Sequence, residues 1–261
     1  MELNLNSHSQ KMNNIDAQSM LLNEERRKEV GQYKNDRTVK ISFYVTYAFL
    51  MTTATITFIE SISTKIPGIR HILNLETCIS IVAAFFYTQF IKKLKLTETG
   101  MNPIADELKV NYKSINLTRY TDWAITTPIM LLVLLLVFCY NTKQQLKASF
   151  FLVVLILNYL MLYVGYRGEK QLLTRRKATI GGFFFFIALY GLIYFNFLHN
   201  NYNFDNQIIF WAFVFFWSFY GVLYNYDEET KNIGYNVLDL FSKCFVGIFF
   251  WAYLTKVLVI F

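Results

Sequence analysis

Seven stretches of predominantly apolar residues, at about 39–61, 71–92, 117–139, 146–166, 177–198, 204–225 and 232–258, leave this chain few folds to choose from. Crossing the hydrocarbon of a bilayer as a helix takes roughly 20 such residues. Inside lipid, each backbone donor must find its acceptor within the same segment. The expected fold is all-α: a single seven-transmembrane-helix bundle in a multi-pass protein of the cell membrane, with sequence neighbours packed antiparallel through short connections. A composition of 54% hydrophobic and 18% aromatic residues rules out a soluble domain of this size. The longer connection, 93–116, has room for a small hairpin or a short helix.

Residues 1–38 are of another kind. They are polar and carry the mixed-charge run Glu24-Glu25-Arg26-Arg27-Lys28-Glu29, so a tail that is disordered or forms a short surface helix is expected ahead of the membrane domain, 39–261. The tail has no apolar core, so no cleaved signal peptide is expected. The net charge of +7 is scattered over helix ends, where cations anchor lipid headgroups, so the expected partner is the bilayer and not nucleic acid. Cys78, Cys139 and Cys244 fall in apolar runs without metal-ligand spacing and read as packing residues. His8, His71 and His199 supply neither a metal set nor a hydrolytic triad, so no metal and no enzyme activity are expected.

The informative residues are the few charges inside the spans: Glu76, Arg119, Asp122, Asp239 and Lys243. A charge there costs several kcal/mol unless it is paired or hydrated. Arg119 and Asp122 stand at i and i+3, Asp122 and Thr126 at i and i+4, and Asp239 and Lys243 again at i and i+4, so each set shares a helix face. Such a set can be a salt-bridge cluster that only locks helices together. It also suits a Schiff base, because a desolvated lysine is the usual amine for an aldehyde and the two aspartates would hold the charge of the protonated imine.

Several motifs resemble those of the microbial (type 1) rhodopsins, in order and across all seven spans. RYTDWAITTPIM (119–130) is similar to that family's third helix, LDLFSK (238–243) to its seventh, WSFYGVLY (217–224) to its sixth, NYLMLYVG (158–165) to its fourth, and AAFFY (83–87) to its second. The resemblance implies all-trans retinal attached covalently to Lys243, with Asp122 and Asp239 as counterions. Arg119 would keep Asp122 ionised, Thr126 would bond its carboxylate, and Tyr87 and Tyr220 would be further counterion partners. Trp123, Thr127, Met130, Asn158, Met161, Gly165, Trp217, Tyr220 and Tyr224 would line the retinal, with Gly221 where the proton pumps usually have proline. Members of the family form homo-oligomers through lipid-facing surfaces, and a homo-oligomer is expected here.

The output of the machine is a separate question. In the family's proton pumps a carboxylate commonly sits three turns beyond the counterion; here that position is Val133, which cannot return a proton. Paired release glutamates have no clear counterpart, and the acidic DEET (227–230) reads as a solvated loop. Glu76 points to the same half as Val133, and Thr46, Thr52, Thr53 and Ser80 would line a polar gap beside it. The ion pathway is therefore expected along Glu76, Ser80 and Arg119. The first two spans, with NLETCIS (74–80) the most specific piece, resemble those of rhodopsins encoded by large algal viruses, one group of which acts as light-gated cation channels. A light-gated channel is the leading expectation, a light-driven proton pump the alternative, and a photosensor the third. The family orientation puts the N-terminus outside the cytoplasm, yet the flanks on that side carry seventeen Lys and Arg against five on the other. The positive-inside rule favours the reverse.

Overall fold

A computed structural model of the chain describes residues 37–98, 111–199 and 202–257. The expectations for the tail up to residue 36 and for loop residues 99–110 lie outside the described residues. The chain up to Ile41 clusters apart from Ser42–Phe261. Of the former only 37–41, the opening turn of the first helix, is described, and every contact given below lies within the latter.

Among the described residues, seven helical spans are long and apolar enough to cross a membrane: α1 (Arg37–Ser63), α2 (Pro67–Glu98), α3 (Tyr112–Thr142), α4 (Ala148–Glu169), α5 (Arg175–Phe197), α6 (Phe204–Leu223) and a composite seventh. The last consists of α7 (Glu228–Asp239), a π-helical segment (Leu240–Phe245) and α8 (Val246–Leu254). The protein is an all-α, multi-pass integral membrane protein. Two boundaries differ from expectation. Residues 93–98 continue α2 and 112–116 already belong to α3, so both flanks of the expected loop are helical. The seventh span is not one uninterrupted α-helix: it widens at the turn that carries Lys243.

Consecutive helices pack on one another, and the last span returns to α2, closing the ring. α1 completes it: Phe43 packs edge-on to Phe90, and the Thr57 and Thr77 hydroxyls bond at 2.8 Å. α3 is the axle. Some 61% of its apolar window is buried in protein, against 11% for α4, in which only Val154 and Asn158 are fully enclosed.

The helix starts are set by side-chain caps, which satisfy backbone N–H groups that have no partner in the first turn. Asn111 accepts from Ser114 N, Thr174 from Lys177 N, Asn203 from Asn206 N and Asp227 from Thr230 N. DEET is therefore the cap and first turn of α7, not a solvated loop. The hydrogen bonds from Thr230 hold the Asp227 carboxyl below the usual carboxylate range. Pro128 lies inside α3 and has no N–H to offer the carbonyl one turn back, that of Ala124. Tyr159 Oη of α4 donates to that carbonyl at 3.1 Å, so the proline costs the helix no unsatisfied acceptor.

Candidate functional site

The intramembrane charges meet in the middle of the bundle, in two crosswise pairs. Lys243 Nζ lies 2.7 Å from Asp122 Oδ2 and 3.5 Å from Asp239 Oδ1. Arg119 Nη1 lies 3.5 Å from Asp239 Oδ2. All four side chains are buried. Arg119 was expected to hold Asp122, its neighbour on the same face of α3. Its long side chain instead reaches α7, where Nη2 donates to Asn236 Oδ1 at 2.7 Å and Asn232 Oδ1 at 3.3 Å, among the rings of Phe43, Phe90 and Tyr235. Tyr87 and Tyr220 each donate to an Asp239 oxygen at 2.7 Å, and Tyr220 also shares a 2.8 Å bond with Ser242.

Thr126 is a second correction. Its hydroxyl bonds the Asp122 backbone carbonyl at 2.9 Å, the usual choice of a threonine inside a helix, and not the carboxylate. Asp122 Oδ1 is left without a hydrogen-bond partner.

From Lys243 an apolar slot runs between α3, α4, α5 and α6. Trp123, Thr127, Met130, Met161, Gly165, Trp217, Tyr220 and Tyr224 line it, eight of the nine residues for which a place beside a retinal was expected. Asn158 does not. It stands behind Thr127 and donates to that hydroxyl at 2.9 Å, so it positions a wall residue from one layer back. The α5 wall, with Gly182, Phe183 and Phe186, was not anticipated, because four successive phenylalanines in an apolar helix give no sign of which faces inward. Gly221 opposes it. A Cβ there would sit 2.8 Å from the Phe183 ring, so the absent side chain lets the two helices close on the slot.

On the C-terminal side of Lys243 lies a second polar strip. Glu76 is buried, and a Cβ on Gly247 would stand 3.1 Å from its Oε2 and 2.9 Å from Thr53 Cγ2. The hydroxyls of Thr53 and Ser80 are buried without a hydrogen-bond partner. Thr46 is buried too, but bonds the Asn236 carbonyl at 3.2 Å, while Thr52 is exposed on the outer face and does not line the gap. Val133 sits in an apolar cluster with Leu131, Leu134 and Leu135. Of the cysteines, Cys139 and Cys244 are buried, whereas Cys78 is exposed and takes no part in the packing expected of it.

Asn232 and Asn236 belong to none of the motifs above. With Asp239 and Lys243 they fall at i, i+4, i+7 and i+11, a polar stripe along an apolar span that the helical period makes visible. Glu228 was expected in a solvated loop, and nothing in the sequence singled out Lys231 or Glu169. Lys231 is fully buried, 2.7 Å from Glu169 Oε1 and 2.9 Å from Glu228 Oε1, and Arg175 meets the same Glu228 oxygen at 3.0 Å. Two of the cations that weigh against the family orientation are thus locally neutralised.

A family model described as bacteriorhodopsin-like protein matches residues 37–257. Among solved structures, viral rhodopsin OLPVRII is 49% identical, with 85% of this chain and 99% of that one covered and a TM-score of 0.76. A blue light-absorbing proteorhodopsin from Med12 is 22% identical, covering 84% and 99%, with a TM-score of 0.67. A thermophilic rhodopsin is 20% identical, covering 84% and 93%, with a TM-score of 0.64. The last two speak for the fold alone. No curated protein matches the chain in sequence.

Proposed function

The chain belongs to the bacteriorhodopsin-like family, and from that premise we propose that it carries all-trans retinal on Lys243 and works as a light-gated cation channel. It is a light-driven membrane protein of the microbial-rhodopsin type, and its family binds retinal through a Schiff base to a lysine. The residues fit that group: an apolar, aromatic-walled slot ends at the Lys243 amine, and beside it Asp122 offers an oxygen that no other group occupies. When bound, the retinal supplies absorption of visible light and a change of shape at the Nζ atom.

The rest is the work of this chain. Nζ stands where the imine nitrogen would be, and Asp122, 2.7 Å away, balances its charge and is the first acceptor for its proton. Asp239 is farther off and already engaged by Arg119, Tyr87 and Tyr220, which makes it the more distant partner of Nζ. Trp123 and Trp217 wall the slot. The exposed apolar side chains of α4 and α5, such as Leu152, Phe184 and Ile187, suit lipid or a second copy of the chain.

One observation carries the channel reading. The half of the bundle beyond Lys243 has buried, unsatisfied hydroxyls on α1 and α2 beside Glu76, while α3 offers only Val133 in an apolar cluster. A strip of that kind can hydrate and pass a cation, and α3 has no carboxylate there to return a proton. A light-driven proton pump is the second reading, favoured by the burial of Glu76 on the side from which a proton would come back. Voltage-clamp recording under light separates them. A photocurrent that reverses sign with voltage supports the channel; one that keeps its sign across voltages contradicts it and supports the pump.

A further inference from the structure

Lys231 is the one fully buried lysine besides Lys243 among the described residues, and the charge centre has no use for it. Its amine is clasped by Glu169, which closes α4, and by Glu228, which opens α7. Asn116 of α3 donates to the outer oxygens of both acids, at 2.6 Å to Glu228 Oε2 and 3.4 Å to Glu169 Oε2. Three helices are pinned at one mouth of the bundle. A lysine that only anchored a helix end would keep its amine in water, so its complete burial points to another task.

Its place suggests which. From Asp239 a continuous series of polar contacts leads outward: Arg119 to Asn232 at 3.3 Å, Asn232 to Asn116 at 3.1 Å, Asn116 to Glu228 at 2.6 Å. It ends at Lys231, and just beyond lies a polar recess walled by Glu169, Glu228, Thr174, Arg175 and Lys113. We propose that Lys231, held between Glu169 and Glu228, is the gate of the cation path at this mouth. The inference rests on the channel reading above.

With the ammonium seated, a cation arriving from the recess meets a positive stopper, and both carboxylates are spent on it. With the ammonium withdrawn, Glu169 is released and Glu228 keeps only Arg175 as an ion-pair partner, so their carboxylates line the passage and attract the cation. The trigger is built into the series of contacts. Asp239 holds Arg119, and Arg119 holds Asn232, so a change of charge or position at Asp239 is passed to Asn116 and from there to Glu228, one of the two hands on Lys231.

The test is electrical, on the full chain with retinal in a clamped membrane. Lys231→Gln and Glu169→Gln are each expected to raise the conductance in the dark severalfold and to slow closing after the light is switched off. Exchanging the charges, with Lys231→Glu combined with Glu169→Lys, should bring both back towards the unmodified protein. Coloured variants whose dark conductance and closing rate equal those of the unmodified protein overturn the gate, even if they melt at a lower temperature, because the cluster is then only a brace. If Lys231→Gln yields no pigment, Glu169→Gln decides alone by the same two readings. A unidirectional photocurrent in the unmodified protein contradicts the channel reading itself, while the dark conductance of the variants still decides the gate.

Discussion

Arg119 pairs with Asp239 across the bundle, at 3.5 Å and with both side chains buried. The two cations and two aspartates of the charge centre therefore neutralise one another crosswise, α3 to the seventh span and back. Removing one member of a buried pair strands the other, which costs about 3–5 kcal/mol. Arg119→Gln should lower stability by about that amount, read as thermal bleaching of the pigment. A melting temperature equal to that of the unmodified protein would show that the pair contributes nothing.

The two aspartates are not equivalent partners of Nζ. Asp122 stands 2.7 Å away with one oxygen unengaged, whereas Asp239 stands 3.5 Å away and is shared by three other groups. Negative charge near the imine stabilises the ground state, so Asp122→Asn should shift the absorption to the red, and by more than Asp239→Asn does. Equal shifts, or a larger one for Asp239→Asn, would assign the counterions the other way round.

Glu76 faces the span that bears Lys243 at the level of Gly247, one turn beyond it, where an added Cβ would lie 3.1 Å from its Oε2. Glu76→Gln keeps the shape and removes the ionisable carboxyl. It should change photocurrent amplitude and cycle kinetics while leaving the colour where it is. Should both stay as they were, Glu76 is a packing residue at a helix interface.

Gly247 gives that side chain its room. In Gly247→Ala the new methyl stands 2.9 Å from Thr53 Cγ2 and 3.1 Å from Glu76 Oε2, so its neighbours must move. Overpacking of this sort costs about 1–3 kcal/mol. The photocurrent should fall in a protein of unchanged colour; a normal current would mean that the strip has slack to spare and is not the path.

How much of this could be read beforehand follows from which signals are local. Seven spans were legible because an apolar run of sufficient length has one stable form in lipid. The start of α7 was placed four residues late, since hydropathy overlooks a polar first turn that the Asp227 cap in fact begins. LFSKCF contains neither proline nor glycine, and nothing in it announces a π-helical turn at Lys243. Spacing along α3 suggested the near partner for Arg119, but a side chain of that length is free to choose a far one on α7. Lys231 and Glu169 are 62 residues apart at the ends of different spans, where charges ordinarily read as solvated, so only the folded bundle brings them together.

The central claim is that Lys243 bears the chromophore. The direct measurement is mass spectrometry of the pigment after its linkage to all-trans retinal has been reduced and the chain digested, alongside the spectrum of Lys243→Ala. The account predicts the added mass on the peptide containing Lys243 and a variant with no visible absorption. Added mass on another lysine, or a variant that keeps its colour, would contradict it.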